Sequence, residues 1–168
     1  MFVLGIDPGL SRCGYACVEA VPRGRSRARA IGVIRTDAQA PLPARLAELQ
    51  AEIVALLDET RPAVVAVEQV FFQVNVRSAM ATGQASGLAM AAAHRAGAQV
   101  VQYTPTQVKQ AVAGDGRADK DQVGRMVQTL LGLDRVPEPA DAADAAALAL
   151  CHLAHSPLAR AALGAGRP

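Results

Sequence analysis

The chain has 168 residues, 17 of them basic and 15 acidic, for a net charge of +2, and 51% are hydrophobic. That length suits one compact domain with a sizeable core, and because aromatics make up only 3%, the core must be built mostly of Ala, Val and Leu. The charge is too mild to argue for nucleic-acid binding unless the basic residues cluster, the start MFVLGIDPG lacks the charged region and cleavage site of a signal peptide, and the Ala-rich run from Ser78 to Ala93 is too polar to span a membrane.

In chain order, Phe2 to Ile6 reads as a short buried strand stopped by Asp7-Pro8-Gly9. Cys13 to Ala20 and Ala30 to Arg35 read as two further strands. Between them, PRGRSRAR carries Arg23, Arg25, Arg27 and Arg29 and is expected as a solvated hairpin loop, with a DNA contact as the alternative. Leu46, Leu49, Ile53, Leu56 and Leu57 recur at helical spacing, and Arg61-Pro62 ends that helix. Ala63 to Val67 is a β-branched run leading to Glu68, hence a fourth buried strand. A helix of small residues follows from about Ser78 to Ala96, closed by Gly97. Gln99 to Tyr103 is a fifth strand. Asp119 and Gln122 form a capping box that opens a helix burying Val123, Met126, Val127, Leu130 and Leu131. Pro137 and Pro139 precede the last helix, about Asp141 to His155. The pattern predicts an α/β fold, a mixed five-stranded sheet with helices on both faces, in one domain over 1–156 with a flexible tail over 157–168. The cysteines, Cys13, Cys17 and Cys151, show no C-x-x-C spacing and read as reduced thiols of a cytoplasmic protein.

Four acids stand out. Asp7 and Glu68 each end a strand, and if those strands are parallel neighbours both carboxylates emerge at one sheet edge, where open α/β sheets place their sites. Asp141 and Asp144 are three apart on a helix and share a face of an Ala- and Leu-rich segment, where carboxylates are costly unless they meet water or a cation. No Lys or Arg neighbours them in sequence, so an all-oxygen set suits Mg²⁺ or Mn²⁺ and not zinc. Each acid also has a plainer reading. Asp7 fits a turn residue, Glu68 a solvated strand end, Asp141 an N-cap, and Asp144 a first-turn carboxylate favoured by the helix dipole. His152 lies eight residues beyond Asp144, about 12 Å along a helix, and is read as a packing or surface residue.

The segments GIDPGLSRCGYA, VEQVFF and DAADAAALALCH, with TPTQVKQAVAGDGRADKDQV between the last two, resemble in order the motifs of the RuvC Holliday-junction resolvases. The resemblance runs from Phe2 to His155. It implies a ribonuclease-H-like fold and a structure-selective endonuclease that cuts four-way junction DNA in paired, symmetrical fashion, in recombination and repair. It places the catalytic, metal-holding acids on Asp7, Glu68, Asp141 and Asp144, with two Mg²⁺ per subunit and Mn²⁺ as a substitute. Phe71, shortly after Glu68, matches an aromatic that stacks on an unpaired base at the crossover; the plainer reading is that Phe71 and Phe72 both cap the core. Lys109 and Lys120, the only lysines beside 15 arginines, fall where the family's lysines meet DNA, and Arg77 is assigned there too. The family also implies a homodimer through the small-residue helix, where Gly83 and Gly87 stand four apart on a stripe with Ala79 and Met90; internal packing is the other account of that stripe. A branch-migration complex of the RuvA and RuvB families is a further implied partner. An actin-like or sugar-kinase-type nucleotide-binding domain is the competing reading, but it needs a second D-x-G loop that the chain lacks. An inactive nucleic-acid-binding relative would have lost one of the four acids.

Overall fold

The computed structural model describes residues 1–21, 26–69 and 76–156. Its sheet contains β1 (Phe2–Asp7), β2 (Arg12–Glu19), β3 (Arg27–Arg35), β4 (Val64–Glu68) and β5 (Gln99–Tyr103). They are ordered β3-β2-β1-β4-β5, with β1–β2 and β2–β3 antiparallel and β1–β4 and β4–β5 parallel. The helices are α1 (Leu42–Thr60), α2 (Val76–Arg95), α3 (Pro105–Ala113), α4 (Lys120–Leu131) and α5 (Ala140–His155). Among the described residues, no helix is long and apolar enough to cross a membrane.

Strand alternation divides the core in two. Val3 of β1, Ala16 and Val18 of β2, and Val64 and Ala66 of β4 pack with α3, α4 and α5. Leu4, Ile6, Cys13, Cys17, Val65 and Val67 face the opposite way, against Leu49, Ile53 and Leu57 of α1 and Ala85, Ala89 and Ala93 of α2. The expected mixed sheet with helices on both faces is therefore present. By the same parity Gly5 and Asp7 of β1, Gly14 of β2 and Glu68 of β4 belong to the α5 side. A Cβ on Gly5 would overlap the carbonyl of Ala145, and one on Gly14 the carbonyl of Asp141. The two glycines and the alanines of α5 thus let helix backbone rest almost directly on strand backbone. This close approach explains why α5 is so rich in alanine.

Three local expectations change. The arginine-rich loop is shorter than its composition suggests, because Arg27 and Arg29 belong to β3, where Arg27 pairs with Glu19 across the ladder. Arg29 Nε donates to Glu19 Oε2 at 2.7 Å, a cross-strand ion pair that extends the hairpin; Arg23 and Arg25 lie outside the described residues. A separate helix, α3, stands between β5 and α4. Thr104 caps it, accepting from the Gln107 amide while Gln107 reaches back to Thr104, with Pro105 in the first turn. Asp141 is not an N-cap: Pro139 holds that position, and the Asp141 side chain is left for other contacts. The box of Asp119 and Gln122 opens α4 as expected. The segment 157–168, expected as a tail, lies outside the described residues.

Candidate active site

The register of β1 and β4 pairs Ile6 with Val67, so Asp7 and Glu68 are the next residues on adjacent parallel strands. Both leave the sheet at the same edge and on the face that α5 covers. Across the other ladder Asp7 pairs with Gly14, whose missing side chain admits the first turn of α5. Asp141 and Asp144, on that first turn and the next, are thereby pressed toward the strand ends. A cleft of about 310 Å³ opens there, lined by Asp7, Glu68, Asp144, Lys109 and Lys120 above a wall of Val108, Val123, Ala147 and Leu148. Asp141 is not part of its lining.

The electrostatics show that the acids act on one another. Asp7 is raised from 3.8 to about 7, first by burial, then by the charges of Glu68, Asp144 and Asp141, with Lys120 opposing. Glu68 is also raised, by burial and then by Asp144. Two cations, each remote in sequence from the acid it meets, answer this charge. Lys120 Nζ donates to Asp144 Oδ2 at 3.0 Å, and its own pKa rises because that contact holds the proton. Arg12 Nε lies 3.4 Å from Asp141 Oδ2. The absence of basic neighbours in the sequence is thus corrected by the tertiary structure, which supplies one cation to each acid of α5.

Four oxygen-donor side chains, of which Asp7 and Glu68 have their proton affinity raised by burial and neighbouring carboxylates, fit a hard divalent cation, which would relieve the repulsion that burial amplifies. Among the described residues no three such side chains are already closed around one point as a finished cage. Arg12 and Lys120 each engage one carboxylate oxygen, Oδ2 of Asp141 and of Asp144, and would compete with an ion for those oxygens.

His152 is a packing residue. It is 7% exposed, its Nδ1 is hydrogen-bonded to Tyr103 Oη at 2.9 Å, and burial lowers its pKa. The three cysteines are buried and free. Phe71 and Phe72 lie outside the described residues, as does the side chain of Arg77. Gly83 and Gly87 lie on α2, and among the described residues a Cβ built on either meets nothing within 4 Å. Sequence reading passed over Arg12, Gly5 and Gly14. The proximity of Arg12 and Gly14 to Asp7 along the chain was the available signal. For α3 the signal was the run Thr-Pro-Thr-Gln, which has the composition of a capped helix start.

The family model described as crossover junction endodeoxyribonuclease RuvC matches residues 3–152. A crossover junction endodeoxyribonuclease RuvC of Streptomyces avermitilis is 55% identical over 157 residues, covering 94% of this chain and 89% of that protein. Among solved structures, Thermus thermophilus RuvC superposes with a TM-score of 0.86 at 39% identity, covering 92% of this chain and 95% of that one. The T. thermophilus protein in complex with Holliday junction substrate gives 0.85 at 40% identity, covering 90% and 92%.

Proposed function

The chain belongs to the RuvC family of crossover junction endodeoxyribonucleases, and from that premise we propose that it resolves Holliday junctions by metal-dependent phosphodiester hydrolysis. The observation that carries the reading is the convergence of Asp7, Glu68 and Asp144 on one cleft that also holds both lysines, with Asp141 electrostatically coupled to Asp7. The matches favour neither a nucleotide-binding domain nor an inactive relative, and the sequence carries Asp7, Glu68, Asp141 and Asp144.

Asp7, Glu68, Asp141 and Asp144 would hold two Mg²⁺, or Mn²⁺ in substitution. When bound, such ions supply Lewis-acid stabilisation of charge on the attacking and leaving oxygens. Water is the nucleophile and the 3′ oxygen the leaving group; no Ser, Cys or His of this chain is called on. Lys120 has a side chain 75% exposed, so its ammonium can exchange Asp144 for a phosphate oxygen. Lys109 lines the same cleft and adds a second point charge for the backbone. Phe71 would stack on an unpaired base near the crossover, and Arg77 would contact the backbone. The helix face bearing Gly83 and Gly87 would join two subunits, giving two equivalent sites for the two symmetric strands of a junction. RuvA- and RuvB-family proteins are the expected partners, in the cytoplasm.

The test is cleavage of a synthetic four-way junction with Mg²⁺ or Mn²⁺, with linear duplex of the same sequence as control. Paired cuts in the junction alone support the reading. Equal cutting of both substrates, or none with either ion, sinks it.

A further inference from the structure

We propose that Arg12 is a phosphate-binding residue that this site keeps on Asp141 and releases to DNA when the acids take up divalent ions. The inference rests on the resolvase reading and extends it to a residue outside the acids and lysines already assigned.

Arg12 opens β2 two residues before Gly14, so alternation puts its side chain on the face of Asp7, Glu68 and α5. Its Nε lies 3.4 Å from Asp141 Oδ2, with 55% of the arginine side chain exposed. Its backbone is anchored. Arg12 pairs with Arg35 across the β2–β3 ladder. The preceding turn is clamped by α1: Arg45 Nη2 donates to Ser11 Oγ at 2.6 Å and Arg45 Nε to Thr36 Oγ1 at 3.0 Å, while Thr36 Oγ1 donates to the Leu10 carbonyl at 2.6 Å. Exchange of partners is therefore a matter of side-chain rotation from a fixed base.

Charge gives the reason for exchange. With the four acids ionised, Arg12 and Lys120 leave the cluster with a deficit of two positive charges. A pair of divalent ions would convert that into an excess of two. A guanidinium beside a carboxylate that already ligates a cation loses most of its attraction, and the nearest alternative anion is the DNA backbone. Arginine suits that role, since its planar fork can take two phosphate oxygens. Arg12 comes from β2 and Lys120 from α4, and each is paired with one acid of α5, so a strand held by both would run past those acids.

Junction affinity should be measured across a salt series for the parental protein, Arg12→Ala, Arg12→Gln and Arg12→Lys, once in EDTA and once in Ca²⁺, with gels confirming uncut DNA. With Ca²⁺ the Ala and Gln variants should lose about 0.9 from the log–log salt slope, the value of one phosphate contact, and Lys should keep the parental slope. In EDTA all four slopes should coincide. Calorimetric titration without DNA should show Mn²⁺ binding severalfold tighter in Arg12→Gln, because a competing cation is gone. Slopes that coincide in Ca²⁺, an equal loss in EDTA, or unchanged Mn²⁺ affinity overturns the proposal. A parental protein that neither binds nor cuts the junction sinks the resolvase reading instead. Normal parental behaviour with an indifferent Arg12 sinks only the role of Arg12.

Discussion

At Asp7, burial and three carboxylates outweigh the single ammonium that opposes them, and the group titrates at about 7 in place of 3.8. The sign of its effect on stability follows. Between those values the folded chain binds more protons than the unfolded one, so this contribution is complete below 3.8 and is lost as pH rises through about 7. In chelator at pH 8, Asp7→Asn should therefore melt higher than the parental protein by at least about 2–4 °C, the displacement that 1 kcal/mol gives a chain of this size. The difference should shrink at pH 4. Thermal melts at the two pH values check this, and an Asn variant less stable at pH 8 contradicts it. Asp7→Asn and Glu68→Gln should also reduce junction cleavage below detection, since an amide is a poor ligand for Mg²⁺, while junction binding survives. The thiols make a simpler case. Burial raises Cys13 to about 11 and Cys151 to about 12, and raises Cys17 as well. A thiol reagent at pH 8 should react slowly with the native protein and promptly with three groups in denaturant. One fast native thiol would contradict the buried placement.

Between elements, the contact that matters most for the site is α5 on β1 and β2. Gly14 admits the Asp141 carbonyl where a side chain would stand. Gly14→Ala should cost at least ~1–3 kcal/mol, the usual range for overpacking, and should lower cleavage further than stability alone explains, because the displaced turn carries Asp141. Denaturant titration with single-turnover cleavage on the same preparations separates the two losses; an alanine variant with parental values of both would mean that the helix sits farther from the sheet. At the end of α1, Arg61 adopts φ 42° and ψ 57°, a left-handed cap with a side chain present, and its amide donates to the Leu57 carbonyl at 2.8 Å. Arg61→Gly should keep that bond and remove the Cβ penalty, for a gain of about 1 kcal/mol. A denaturant midpoint that fails to rise would mean the arginine side chain contributes more than its backbone costs.

For the whole molecule, the exposed glycines of α2 set two effects in opposition. Among the described residues nothing lies within 4 Å of a Cβ at Gly87, so Gly87→Leu should fold at least as stably, leucine being the better helix former by about 1 kcal/mol. If α2 is the subunit contact, the same change should weaken self-association, and paired cuts should fall relative to single nicks. Sedimentation decides, and a parental protein that is monomeric at micromolar concentration removes the basis for the expectation.

Periodicity and punctuation were enough to show the five strands, α1, α2, α4, α5 and the capping box of Asp119, because those signals act over a few neighbouring residues. The resemblance in the motifs, in turn, named the four acids. Asp7 and Glu68 could be placed at strand ends from local pattern, but their meeting depended on β1 and β4 being parallel neighbours, a pairing across sixty-one residues of register that only the folded sheet decides. Short-range composition misplaced the start of β3, since an arginine-rich stretch looks solvated until Glu19 is found opposite. It also left Gly5 and Gly14 mute, because a glycine in a strand has no message until a helix is laid against it. Most of all, nothing in the sequence links Arg12 to Asp141 or Lys120 to Asp144, whereas the structure brings each cation against its acid. Charge acts through space, and distance in space is set by packing that no local pattern encodes.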